Sequence, residues 1–200
     1  MIETTWACLD FTKTVGWEAG DRRDDALVDY EALVAWAERA GVLPWADATQ
    51  AREQAAAQPL QAGRVLEAAI ELRRAVYGIF SALGSGREPA AGELATLNAH
   101  VSEAMAHLEV RASGVGRFDW EWRALEPGEA LTRVLWPVAR SAAELLTSDE
   151  VRRVKLCEGD DCGWLFVDAS RNRSRRWCDM SGCGNLAKVR RFRARHRGEA

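Results

Sequence analysis

With 200 residues, the chain has room for one ordinary domain, or for a body of about 150 residues with a small appendage. Its 48% apolar and 28% charged residues are those of a soluble globular protein, and no run approaches the ~18 uninterrupted apolar residues of a membrane span. The net charge of −3 hides a division: residues 151–200 hold 13 Lys and Arg against 6 Asp and Glu, a balance of +7, while residues 1–150 stand at −10.

The opening, Met1 to Asp10, has neither a basic n-region nor an apolar run, so the expectation is a cytoplasmic protein without a signal peptide. Asp29 caps a helix on which Tyr30, Leu33, Val34, Ala37 and Ala40 share a face, and Gly41 ends it. Asp47 starts a short Ala/Gln-rich helix that stops before Pro59. Pro59 suits the first turn of a long helix with Leu66, Ile70, Arg73, Tyr77 and Phe80 along one side, and Gly84 to Gly86 close it. Arg73 on that stripe calls for an acidic partner. Pro89 opens the next helix, where Leu94, Leu97, Val101, Met105 and Leu108 recur at three and four. From Leu108 to Trp122 the rhythm changes, with Phe118, Trp120 and Trp122 alternating with charge around Gly114 and Gly116, which reads as a β-hairpin. Pro127 begins a last body helix with Leu131, Val134, Leu135, Val138, Ala142 and Leu145 inward, and Pro137 kinks it near Leu135. The fold expected is mainly α: a helical domain with a short β-hairpin over residues 1–150, then a small module over 151–200.

Nine tryptophans are several times the usual share, and Trp6, Trp17, Trp36, Trp45, Trp120, Trp122 and Trp136 lie in the body. Clustered aromatics fill a helical core, line a ligand pocket, or do both, and the core reading leads. A candidate pocket gathers Asp10, Trp36, Arg73, Trp136 and Arg140, with Asp10 pairing with Arg73 or Arg140.

The module reads Cys157-Glu-Gly-Asp-Asp-Cys162, fifteen residues, then Cys178-Asp-Met-Ser-Gly-Cys183. Two cysteine pairs of equal spacing, in a reducing compartment, suit one tetrahedral Zn²⁺ held by four thiolates, with an iron–sulfur centre or disulfides as alternatives. Four sulfurs leave no open coordination position, so the ion is structural. Such binding contributes roughly 10–16 kcal/mol, more than a fifty-residue segment gains from its own core. Gly159, Gly163, Gly182 and Gly184 are expected to supply the permissive φ angles of two knuckles. Cys8 is far away in sequence and reads as a buried thiol.

Between the pairs, Trp164 to Val167 is strand-like and Asp168 to Arg176 is a polar loop crowded with Arg171, Arg173, Arg175 and Arg176. After them, Asn185 to Arg197 reads as a helix with one packed stripe (Leu186, Val189, Phe192), flanked by Lys188, Arg191 and Arg195 on one side and Arg190, Arg193 and Arg197 on the other. Arginines at this density suit phosphates, which they bind by releasing counterions. The alternatives are a solvated basic face, or a tail docked on the acidic body.

The segment from Cys157 to Arg195 resembles a CGNR zinc finger: Cys183-Gly184-Asn185 matches the name-giving motif, with Leu186 in place of its arginine, and Ser170 to Met180 is typical of the family. The body resembles the ABATE domain that precedes such fingers, in Cys8 to Phe11, Asp29 to Trp36 and Leu135 to Ser141, although Thr12-Lys13 replaces the more usual Val-Asn. The resemblance implies a treble-clef-like or knuckle-type finger of a β-hairpin and a helix. It also implies a stress-induced transcription regulator, with DNA binding inferred from the basic finger.

The leading expectation is therefore a DNA-binding regulator, in which the Trp-rich body senses a small molecule or forms a homodimer. RNA binding, with Trp164 or Trp177 stacking on a base, and a protein-interaction module are the alternatives. An enzyme is not expected. There is no Gly-rich phosphate loop or nucleophile elbow, and His100, Glu103 and His107 on one helix side lack the i, i+4 histidine pair of a common zinc site.

Overall fold

The computed structural model describes residues 6–18, 21–126, 128–160 and 162–197, without the side chains of 17–18, 21–23 and 194–197. The helix α1 (Ala7–Thr12) and the strands β1 (Val15–Glu18) and β2 (Asp21–Asp25) lead into α2 (Tyr30–Arg39), α3 (Trp45–Ala57), α4 (Pro59–Gly84) and α5 (Ala91–Ala106). A hairpin of β3 (Leu108–Gly114) and β4 (Arg117–Trp122) follows, then α6 (Trp136–Thr147). The module consists of β5 (Val154–Leu156), β6 (Leu165–Val167) and α7 (Cys183–Arg197). The strands pair as three antiparallel hairpins, so the fold is mainly α with small β-hairpins.

Local chemistry explains most helix ends. The Asp29 carboxylate accepts the Ala32 N–H at 2.8 Å, and Gly41, at φ +69°, takes the left-handed turn that releases the chain from α2. The other starts need correction. Helix α3 begins at Trp45, behind Pro44, which puts Asp47 inside the first turn. Helix α5 begins at Ala91, two residues beyond Pro89, and the Glu93 carboxylate accepts the Ala90 N–H at 3.2 Å. Leu108 belongs to β3, and Met105 faces solvent. Pro137 does not kink α6: it occupies the first turn, where its missing N–H forfeits no helical bond. Turns and a 3₁₀ segment precede α6, and Pro127, the expected start, lies outside the described residues.

Helix α4 is the central rod, packed against α1, α2, α3, α5 and β5. Of the expected stripe, Arg73 and Phe80 are fully buried while Leu66, Ile70 and Tyr77 are half-buried, and a second buried line runs beside it through Ala62, Val65, Ala69, Leu72, Val76 and Ile79. Neighbours on several sides widen the buried arc, and small residues on it let them come close.

Sequence reasoning missed the β1–β2 hairpin. Asp21-Arg-Arg-Asp-Asp25 has no apolar alternation, and a buried arginine anchors it instead. Arg73, 1% exposed, donates to both Asp25 carboxylate oxygens (2.8 and 2.5 Å) and to the Thr14 hydroxyl (2.8 Å). Arg73 thus has the acidic partner its position demanded.

The core is continuous into the module. Val154 and Leu165 are buried in the same cluster as Leu72, Ile79 and Leu145. A Cβ placed on Gly84 at the end of α4 would stand 3.4 Å from the Val154 carbonyl oxygen. In the β3–β4 hairpin, Leu108, Val110 and Ala112 face Trp122, Trp120 and Phe118 across the ladder. The outer half of that face, Val110, Phe118 and Trp120, is more than half exposed. Of the tryptophans, Trp36 and Trp136 are core residues and Trp45 is 76% exposed; the Trp17 side chain lies outside the described residues.

Candidate metal centre and nucleic-acid interface

The hairpin β5–β6 presents Cys157 and Cys162 on its connecting loop, and Cys178 and Cys183 close over them, Cys183 as the first residue of α7. The four Sγ atoms lie within 4.8 Å of one another, with Cys162–Cys178 at 3.7 Å and Cys178–Cys183 at 3.8 Å. Zinc–sulfur bonds of about 2.3 Å in a tetrahedron place sulfurs about 3.8 Å apart, so the cluster has the dimensions of a Zn²⁺ site. Amide N–H groups of Gly159 (3.4 Å) and Cys178 (3.3 Å) point at the Cys157 sulfur and stabilise a thiolate there. Thiols donating to it, Cys178 first, lower Cys162 to about 5. The same interactions seen from Cys178 raise that thiol, and burial foremost pushes Cys183 up to about 12. Sulfurs this close can all be thiolates only when a cation replaces their protons, and Zn²⁺ fits the cluster.

The knuckle glycines are explained by space rather than by φ. None of Gly159, Gly182 and Gly184 has positive φ, but a Cβ on Gly159 would press the Cys183 sulfur at 3.3 Å and Cys162 Cβ at 3.2 Å.

Beside the metal stands a carboxylate that sequence reasoning overlooked. Asp168, fully buried, receives Lys155 Nζ (2.7 Å), the Ser170 N–H and hydroxyl (3.0 and 2.5 Å) and the Arg175 N–H (2.9 Å). Burial alone would raise it; these donors outweigh burial and hold it at about 2. The Asp-x-Ser pattern that begins an Asx turn was the available cue.

The basic residues divide into two sets. Arg175 turns inward, donating to the Trp177 carbonyl (2.9 Å) and the Cys178 carbonyl, with its guanidinium 5.1 Å from the Phe166 ring centre. Arg176 pairs with Glu158 and lies over Trp177, and Arg190 pairs with Asp160. Arg171, Arg173, Lys188, Arg191 and Arg193 are exposed, and none of these five makes an ion pair among the described residues. The side chains of Arg195 and Arg197 lie outside the described residues. Helix α7 lacks the expected packed stripe: Leu186 (58%), Val189 (38%) and Phe192 (63%) are exposed.

The candidate pocket does not hold together. Asp10 pairs with Lys13 (3.5 Å), Arg73 with Asp25, and Arg140 with Glu144 (2.6 Å), so the expected Asp10–arginine pair is absent. Asp10 and Trp36 line one groove of about 480 Å³, in company with Trp164. Trp136 and Arg140 lie elsewhere. Trp136 is stacked by His107 (centroids 3.9 Å apart), donates to Glu103 (3.3 Å), and shares with Trp122 a cation, Arg133, at 5.1–5.2 Å. Arg133 is 5% exposed, is tied to Asp47 at 3.0 Å, and was also missed. His107 bonds Glu129 (3.1 Å), so Glu103 and His107 serve the tryptophan cluster; burial lowers the pKa of His100.

Among the described residues, no helix is long and apolar enough to cross a membrane. Among curated proteins, none matches the chain. Residues 6–149 match the ABATE family, described as "Putative stress-induced transcription regulator", and residues 153–196 match the CGNR zinc finger. The four-cysteine zinc centre and the helical body preceding it place this chain in the ABATE family, with a CGNR zinc finger at its C-terminal end.

Proposed function

We propose that the protein is a transcription regulator that binds DNA through its zinc finger, with the helical body as its sensing half. One observation carries this reading: five basic side chains stand outward on the finger, without an ion pair among the described residues, while its acidic Glu158, Asp160 and Asp168 are each engaged by finger cations. An unmatched cationic surface held rigid by a metal suits phosphates. The reading is of a binding protein rather than an enzyme, since Glu103, His107 and Glu129 already serve the tryptophan cluster. The exposed face of Val110, Phe118 and Trp120 supports a homodimer, which one small finger needs to read a usable site. The exposed Trp164 ring favours RNA as the second reading, by stacking.

Gel shifts at a series of salt concentrations on duplex DNA, single strands and structured RNA test the proposal. Duplex DNA is expected to bind most tightly, with log K falling by about 4 to 5 per tenfold rise in salt if all five cations meet phosphates. Replacing Arg171, Arg173, Arg191 and Arg193 together by Ala should flatten that slope to about 1. Unchanged binding by this variant overturns the reading, and preference for structured RNA replaces it with the second.

A further inference from the structure

The groove that holds Asp10 and Trp36 has a wall from the other half of the molecule. Its body side comes from α1, α2 and the turn before α2, through Asp10, Lys13, Leu27, Trp36 and Arg39; its finger side is Trp164. About 480 Å³ is within the range of small-molecule sites. The lining is that of a site for a flat acid. The exposed Trp164 indole offers the apolar surface, with the edges of Trp36 and Leu27, both otherwise buried, behind it, and Trp36 is fixed by its contact with Phe11 (centroids 4.7 Å apart). Asp10 and Lys13 compensate each other at 3.5 Å. Arg39 is exposed and makes no ion pair among the described residues, so the groove is left with one uncompensated positive charge. The floor is stiff: Thr14 donates to the Phe11 carbonyl (2.8 Å) and accepts from buried Arg73.

Trp164 connects the groove to the metal. Its carbonyl accepts the Cys157 N–H at 2.9 Å, and its own amide supports the Cys162 sulfur. A ligand pressed against this indole therefore bears on the backbone of the first knuckle.

We propose that the groove between the body and Trp164 binds a small flat aromatic carboxylate, with Arg39 on the carboxylate and Trp164 against the ring, and that this ligand sets the posture of the finger. The inference rests on the regulator reading for its second half only. The occupant is singly negative and aromatic; a neutral ring forgoes Arg39, and a small polar acid forgoes the Trp164 indole.

Isothermal calorimetry on the zinc-loaded full chain, without nucleic acid, tests the site with 1-naphthoate and its neutral counterpart 1-naphthamide. Saturable one-to-one binding of naphthoate is expected, about tenfold or more tighter than naphthamide. Arg39→Gln should abolish that preference, and Trp164→Phe should weaken both probes about tenfold. Both positions are solvent-accessible, and zinc content and circular dichroism verify that the variants fold. No saturable binding, or binding untouched by both variants, overturns the site. In gel shifts, saturating naphthoate should change DNA affinity at least about fivefold. An unchanged affinity overturns the regulatory half alone, while DNA binding without naphthoate binding overturns the groove and leaves the reading head standing.

Discussion

Asp168 shows how much one side chain organises in the finger. Its folded pKa lies below the ordinary 3.8, so the stabilisation it provides is complete above that value and is lost only as pH falls through about 2. At neutral pH the same loss is produced by mutation: Asp168→Ala strands the Ser170 and Arg175 N–H groups, leaves Lys155 only the Arg173 and Arg175 carbonyls, and should cost about 1–3 kcal/mol in urea unfolding of the zinc-loaded protein. Arg173 offers the opposite case. It holds φ +50°, a left-handed conformation that disfavours any residue with a Cβ by roughly 1–2 kcal/mol. Arg173→Gly should therefore leave thermal stability unchanged or raised while weakening nucleic-acid binding and lowering the salt slope by about one. The four cysteines were legible in the sequence because metal geometry restricts both residue type and spacing. Asp25 and Arg133 were not, since nothing in a linear pattern tells a charge ion-paired against the core from a solvated one, and Asp168 offered only the local Asp-x-Ser cue.

Among the elements, long helices could be read because amphipathic periodicity and capping residues act locally, as at Asp29 and Pro59. The β1–β2 hairpin could not, because its stability comes from a contact 48 residues away, Arg73 with Asp25. That contact predicts an asymmetry. Asp25→Ala leaves a buried guanidinium uncompensated and should cost about 3–5 kcal/mol, whereas adding Arg73→Met to it should restore most of the loss. Chemical denaturation of the two variants checks this, and equal stabilities would show that the arginine is not desolvated as described. Helix α7 marks a different limit. Its residues were read correctly as a helix, but exposure of Leu186, Val189 and Phe192 depends on what lies beside it, which periodicity does not encode.

For the whole molecule, the shared core makes metal and body interdependent. Stripping zinc with a chelator should lower the melting temperature of the entire chain in one calorimetric transition, and Cys178→Ser should do the same. Cys8→Ser should leave zinc stoichiometry at one, because Cys8 is fully buried in the body core and is not among the four clustered sulfurs. Two separate transitions, with the body unaffected, would contradict the packing of β5 and β6 on α4. The same packing has a practical outcome. The finger cannot be excised and grafted onto another protein as a portable cassette, since cutting near residue 150 strips Val154 and Leu165 of the surface that covers them. A cell starved of zinc would accordingly forfeit both halves at once, not the finger alone.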